Sequence, residues 1–184
     1  IQGYFFSRPV EAAEMEKMLA DRCRIPSLPL QPEKRARTIL LVDDEENIIS
    51  SLRRLLRRDG YQILTANGGA EALELLARHE VDVIVSDQRM PNMTGVEFLR
   101  RVKTIHPYTV RMVLSGYTEL QSITDAINEG AIYKFLTKPW EDDLLRANIE
   151  EAFRYKELAD ENRRLNSEIQ VANKELAQSN AKLL

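Results

Sequence analysis

Five side chains in this sequence could act together, and each sits where an apolar run stops. Asp87 follows Val81-Asp82-Val83-Ile84-Val85-Ser86, and Asp43 and Asp44 follow Thr38-Ile39-Leu40-Leu41-Val42. Ser115 follows Val110-Arg111-Met112-Val113-Leu114, and Lys138, itself followed by Pro139, ends Ile132-Tyr133-Lys134-Phe135-Leu136-Thr137. Such near-continuous runs read as strands buried on both faces, the kind found in parallel sheets. Open α/β sheets bind their ligands at the carboxyl ends of these strands. Neighbouring strands lie about 4.8 Å apart, so adjacent strands would bring Asp43, Asp44, Asp87, Ser115 and Lys138 into one pocket. Three carboxylates together repel one another and call for a cation; oxygen ligands suit Mg²⁺, which keeps several of its waters. A lysine and a hydroxyl across from them suit a phosphoryl group. A loop cap would account for Asp87 alone, but not for the set.

The elements that must position these residues follow from the pattern. From Thr38 onward, strand and helix alternate five times. The helices carry Ile48, Ile49, Leu52, Leu55 and Leu56; then Ala72, Leu73, Leu75 and Leu76; then Val96, Leu99, Val102 and Ile105; then Leu120, Ile123 and Ile127 within Glu119–Glu129. Gly60 suits a helix stop. Such alternation argues a parallel sheet with helices on both faces and right-handed crossovers. A pocket that joins Asp43 and Asp44 to Asp87 requires the first strand beside the third.

On these residues the segment 38–154 resembles a response-regulator receiver domain, which implies a flavodoxin-like, doubly wound, five-stranded parallel sheet of order 2-1-3-4-5. The resemblance implies that Asp87 is the phosphoacceptor. It implies that Asp43 and Asp44 hold Mg²⁺ with Asp87 and the backbone carbonyl of Arg89. Ser115 would hydrogen-bond the phosphoryl group and Lys138 would pair with it. Phe135 falls at the family's switch aromatic, where many members carry Tyr, so a switch here has no phenol hydroxyl to use. Pro139 fits the family's cis peptide bond. The implied partner is a histidine kinase or phosphotransfer protein.

Composition narrows the alternatives. The chain has 184 residues, 43% apolar and 30% charged, with a net charge of −3. That is enough for one core, with no general attraction to nucleic acid or membrane. Arg53, Arg54, Arg57 and Arg58 read as the solvated face of one helix. Lys34, Arg35 and Arg37 sit in a linker. The only cysteine, Cys23, excludes an internal disulfide and fits a reducing, cytoplasmic setting. His79 and His106 stand apart, so no zinc site is suggested. No run approaches the ~20 apolar residues of a membrane span. The chain begins at Ile1 rather than Met, as a piece of a longer protein would.

Residues 1–22 read as a short aromatic strand ended by Pro9, then a helix with Ala13, Met15, Met18 and Leu19 on one side. Gln2-Gly3-Tyr4-Phe5-Phe6-Ser7-Arg8-Pro9 is similar to the closing strand of EAL domains, barrel-shaped phosphodiesterases that cleave cyclic di-GMP. In that family the position of Gln2 lies beside the active site. None of the family's catalytic carboxylate motifs is present, and a barrel cannot close on one strand and one helix. The segment is therefore expected to be the remnant of a domain with no catalytic role here. Residues 23–37, with Pro26, Pro29 and Pro32, read as a semi-stiff linker.

The last helix outruns a receiver. From Trp140 to about Arg154 it can pack through Leu145, Ile149 and Phe153. Residues 155–184 then continue without Gly or Pro. Leu158, Asn162, Leu165, Ile169, Ala172, Leu176, Ser179 and Leu183 alternate four and three apart, a heptad seam with Asn162, Ile169, Leu176 and Leu183 at a. A solitary polar helix of this length is marginal in water. A parallel homodimeric coiled coil is therefore expected, with Asn162 fixing its register. Glu161, Glu168 and Glu175 at g face Asn166, Asn173 and Asn180 at e, so interchain salt bridges do not explain the pairing.

The functional expectation is a phosphorylation switch on Asp87 that signals through this helix and regulates cyclic di-GMP turnover in the parent protein. The fragment itself would be no enzyme beyond its own phosphotransfer and dephosphorylation. The alternative is a non-phosphorylated dimerisation scaffold, which would need none of the five pocket residues. A Mg²⁺-dependent phosphatase ranks last, because no second acid closely follows Asp87.

Overall fold

The computed structural model describes residues 35–116 and 120–181. The expected remnant at 1–22, nearly all of the linker, Glu119 and Leu183 lie outside the described residues. Contacts divide the chain into Ile1–Arg35 and Ala36–Leu184.

Five strands and five helices alternate: β1 Thr38–Val42, α1 Glu46–Leu56, β2 Gln62–Ala66, α2 Gly69–Leu76, β3 Val83–Asp87, α3 Gly95–Ile105, β4 Val110–Ser115, α4 Leu120–Asn128, β5 Lys134–Thr137 and α5 Asp142–Ala181. All pairings are parallel, in the order β2-β1-β3-β4-β5. This is the expected flavodoxin-like sheet. Successive side chains in a strand point to opposite faces, and both faces are buried. Ile39, Leu41, Val83, Val85, Met112 and Leu114 pack with Leu52 and Leu56 of α1 and Leu145, Ile149 and Phe153 of α5. Leu40, Val42, Ile84 and Val113 pack with Ala72 of α2, Phe98 and Val102 of α3, and Ile123 of α4. That double burial explains the absence of polar alternation in these strands.

Boundaries differ from the expectation by a residue or two. β3 begins at Val83 and includes Asp87 as its last residue, since Asp87 still pairs with Leu114. β5 begins at Lys134 rather than Ile132: the Ile132 amide still donates back to the Ala126 carbonyl of α4, and the Tyr133 amide donates to the Arg111 carbonyl of β4 just before the strand. Gly60 takes φ 74° just beyond α1, a left-handed conformation that glycine adopts without a Cβ clash.

α5 is a single helix of 40 residues, about 60 Å long at 1.5 Å per residue. Its packing does not stop at Phe153. Tyr155 meets Tyr133 with ring centroids 4.8 Å apart, Lys134 pairs with Glu151 at 2.6 Å, and the Arg163 guanidinium lies over the Tyr108 ring. On the other side Arg37 reaches Glu150 at 2.7 Å and Glu157 at 2.8 Å, and lies over Phe153. Side chains that stay partly covered, such as Lys156, Ala159 and Arg163, continue the buried stripe of Ile149, Ala152 and Phe153.

Candidate functional site

Three acids converge at the carboxyl ends of β1 and β3. Asp43, Asp44 and Asp87 each offer a carboxylate oxygen within 4.8 Å of the others. Asp43 and Asp87 are buried, while Asp44 is exposed. Adjacency of β1 and β3, with Val42 level with Ser86, produces this convergence. Two strands away, β5 ends one residue before Lys138. The Lys138 amide donates to the Ser115 carbonyl at 2.8 Å, which fixes where the side chain departs. Its Nζ then lies 2.8 Å from Asp87 Oδ1 and 3.0 Å from Asp43 Oδ2. The Lys138–Pro139 peptide is cis, as the resemblance implied.

Each oxygen of Asp87 is held separately. Oδ1 faces Lys138, and Oδ2 accepts from the Arg89 amide at 3.1 Å. Asp43 Oδ1 accepts from the Glu45 amide at 2.8 Å. Burial pushes the Asp43 carboxyl up, against the opposing pull of the Glu45 amide and Lys138. Burial pulls Lys138 down, but its hydrogen bonds to Asp87 and Asp43 reverse the sign and leave it raised. The lysine is thus a firm ammonium, and it partly neutralises an acid cluster that otherwise repels itself.

The loop below the phosphoacceptor position is tightly built. Gly95 opens α3 directly under Asp87, and a Cβ there would collide with the Asp87 carbonyl oxygen. Gln88 Oε1 accepts from the Val96 amide at 3.0 Å, and the Gly95 amide donates to the Gln88 carbonyl. Thr94 and Glu97 form a reciprocal capping box at the same helix start. The spacing Thr94-x-x-Glu97 before an apolar run is a legible signal of that start. Nothing in the sequence marks Gly95 as the residue beneath the acid, because the approach is between segments.

A cleft of about 700 Å³ opens over the acids, walled by Asp44, Asp87, Arg89, Lys138, Pro139 and Trp140 among others. Five expected positions therefore meet: Asp43, Asp44, Asp87, Arg89 and Lys138. Ser115 is buried at the end of β4, and its Oγ donates to the Gly116 carbonyl at 3.0 Å. Gly116 lines the cleft. Phe135 is on β5 and 37% exposed, at the sheet's edge rather than in the cleft. The donor set is all oxygen, with three carboxylates in reach of one point, and it fits a small hard cation such as Mg²⁺. Trp140, which the sequence marked only as the start of the last helix, proves to be a wall of the cleft.

Comparison with known proteins agrees with this fold. The chain is 40% identical over 147 residues to the hydrogenase transcriptional regulatory protein HoxA of Cupriavidus necator, matching 80% of this chain but only 30% of that protein. The chain thus spans less than a third of that relative's length. Among solved structures, the signal receiver domain of an HD domain-containing protein from Pseudomonas fluorescens Pf-5 is 37% identical, with a TM-score of 0.69 over 73% of this chain and 98% of that one. An uncharacterized protein from Neptuniibacter caesariensis is 42% identical, with a TM-score of 0.66 over 68% of this chain and 93% of that one. Residues 39–150 match the response regulator receiver domain model, the span that carries all the acids, the hydroxyl and the lysine. The chain belongs to the response regulator receiver domain family.

Proposed function

We propose that Asp87 accepts a phosphoryl group from a histidine kinase or phosphotransfer protein. Asp43, Asp44, Asp87 and the Arg89 backbone carbonyl would hold Mg²⁺. The observation that carries this reading is Lys138 Nζ, placed within 3.0 Å of two of the three clustered acids. In the transfer, an oxygen of Asp87 forms the new bond to phosphorus as the bond from phosphorus to the donor's imidazole nitrogen breaks. The product is an acyl phosphate. When bound, Mg²⁺ supplies the positive charge that offsets the phosphoryl oxygens. The chain's own residues orient and shield. The Arg89 amide and Lys138 hold the carboxylate plane, and Lys138 meets the added charge. Ser115 turns its hydroxyl from Gly116 toward the phosphoryl group, which biases Phe135 and α4. The chemistry is confined to the chain's own phosphorylation and dephosphorylation.

The signal leaves through α5, paired with a second copy. Leu158 is 66% exposed, Ile169 56% and Leu176 61%. At about 100° per residue, this seam lies roughly 140° round the helix from the side that packs on the domain. It is therefore free to bury itself against its twin. For residues 1–22 the similarity of Gln2–Pro9 to EAL domains supports a cyclic di-GMP phosphodiesterase as the parent protein. HoxA is a transcriptional regulator by description, so the output is tested directly, by assaying cyclic di-GMP hydrolysis in the full-length parent with and without phosphorylation.

The deciding experiment for the receiver is intact mass after acetyl phosphate with Mg²⁺. Wild type should gain one phosphoryl mass and Asp87→Asn none. A phosphoryl gain in Asp87→Asn moves the acceptor elsewhere. No gain in either chain, with the dimer intact, favours the non-phosphorylated scaffold.

A further inference from the structure

The sequence places Arg54, Arg57 and Arg58 on a solvated helix face. In the structure they are exposed, as expected, and they also line a concavity. A cleft of about 800 Å³ runs between α1 and the start of α5, and its walls include Arg54, Arg57, Arg58, Arg146, Trp140 and Asp142. We propose that this cleft binds a small phosphorylated aromatic ligand of the nucleotide class.

Charge and shape both point that way. Arg146 is held in place by Asp59, with Nη2 2.7 Å from Oδ1 and Nε 3.2 Å from Oδ2. Arg54, Arg57 and Arg58 make no ion pair or hydrogen bond among the described residues, so their donors are available. Guanidinium groups match phosphate oxygens in geometry and charge. Part of this basic character complements the carbonyl end of α1, where cations are favoured. That explains one or two arginines near the helix end, but not a set that shares one cleft with an indole. The volume is in the range of about 300–1,000 Å³ typical of small-molecule sites.

Trp140 decides the ligand class. It packs on the core through one side and lines the cleft with its remainder. An anchored indole beside guanidinium groups gives a base a stacking surface and gives its phosphates donors. A protein carboxylate would use the arginines and have no use for the indole. Asp142, the acid in the wall, lies in the first turn of α5, where it complements the helix's amide end. Trp140 also walls the acid cleft beside Asp87 and Lys138. An occupant that fixes the indole therefore shapes the entrance through which a phosphodonor must reach Asp87.

Trp140 is the only tryptophan in the chain, so its fluorescence reports the site. The 184-residue chain is titrated in EDTA with ATP, with GTP and with tripolyphosphate, which lacks a base. Nucleotides should give a saturable change with Kd below about 1 mM, and tripolyphosphate should bind about tenfold more weakly. The double variant Arg54→Ala/Arg57→Ala should weaken nucleotide binding at least about tenfold. Asp87→Asn should leave it unchanged, which separates this site from the phosphoacceptor. Circular dichroism checks that the variants fold; should the double variant lose helix, Arg58→Gln alone carries the same test. Three results overturn the proposal: no saturable response to nucleotides, tripolyphosphate binding as tightly as ATP, or undiminished affinity in the arginine variants. Slower phosphotransfer from a donor protein in those variants, with nucleotides silent, also overturns it and assigns the cleft to an acidic protein surface.

Discussion

At the scale of single residues, the acid cluster is a balance between repulsion and positioning. Asp44 is the exposed member, with Asp43 and Asp87 already offset by Lys138. Asp44→Asn removes one negative charge from a metal-free cluster, so its melting temperature should rise without Mg²⁺. The same change removes a proposed ligand, and Mg²⁺ affinity should fall at least about tenfold, or 1.4 kcal/mol. Calorimetric titration beside thermal melts checks both halves, and unaltered affinity would remove Asp44 from the site. Gly95 poses a different problem. Gly95→Ala drives a methyl group into the Asp87 carbonyl. Overpacking of this kind costs about 1–3 kcal/mol, and it should also slow phosphorylation, because the strand end carrying Asp87 must shift. Urea denaturation and a phosphorylation time course measure the two effects, and a variant as stable as wild type contradicts the contact. The acids, the hydroxyl and the lysine were legible in the sequence because each ends an apolar run. Gly95 and Trp140 were not, because their roles depend on which segments approach in space.

At the scale of elements, the joint between chain entry and last helix stands out. Arg37 bonds Glu150 and Glu157, and Tyr61 donates to the same Glu150 at 2.9 Å while stacking on Phe153 with centroids 4.6 Å apart. Sequence placed Arg37 in a linker, since nothing local announces a partner 113 residues away. Burial, then the bond to Glu150, pushes the Tyr61 phenol up from 10.0 to about 12. In the unfolded chain that phenol ionises at its ordinary value. The stability linked to it is therefore fully present below pH 10.0 and lost as pH rises toward about 12. Subtracting the alkaline absorbance titration of Tyr61→Phe from that of wild type isolates this phenol, and a midpoint near the ordinary value would break the network. Arg111 was equally hidden. It sits in β4 inside an apolar run, yet its guanidinium is buried and satisfied by the carbonyls of Ala131, Thr109 and Gly130. Burial, with no carboxylate partner among the described residues, pulls its pKa down. Strand periodicity says which face a residue takes, and it is silent about loops that fold over that face.

At the scale of the whole described unit, strand and helix alternation was readable from hydrophobic period, because both faces of a parallel sheet are buried and each strand is continuous; the sheet order came from the receiver resemblance, since period says nothing of which strands are neighbours. The extent of α5 was readable too, but its attachment was not: Tyr155, Glu157 and Arg163 look like surface residues in sequence and are tethers in the structure. These tethers leave Leu158, Ile169 and Leu176 exposed, and a parallel homodimer is the expected outcome. Leu165→Cys in a Cys23→Ser background should crosslink to itself, and light scattering should report twice the chain mass at micromolar concentration. Asn162→Leu should raise stability and loosen register, because parallel pairing sets Asn162 opposite its own copy. A monomer, or a failure of like positions to crosslink, would refute the arrangement. Among the described residues the last tether on α5 is Arg163, and the helix runs on to Ala181. That leaves a cantilever about 27 Å long at 1.5 Å per residue. Such a rod converts angle into distance: a tilt of about 5° at its root swings its tip roughly 2.4 Å over that length. Two of its roots, Tyr133 and Lys134, directly precede Phe135 on the strand that leads to Lys138. A rearrangement too small to disturb the core is thus multiplied before it reaches the far end, with geometry alone as the amplifier.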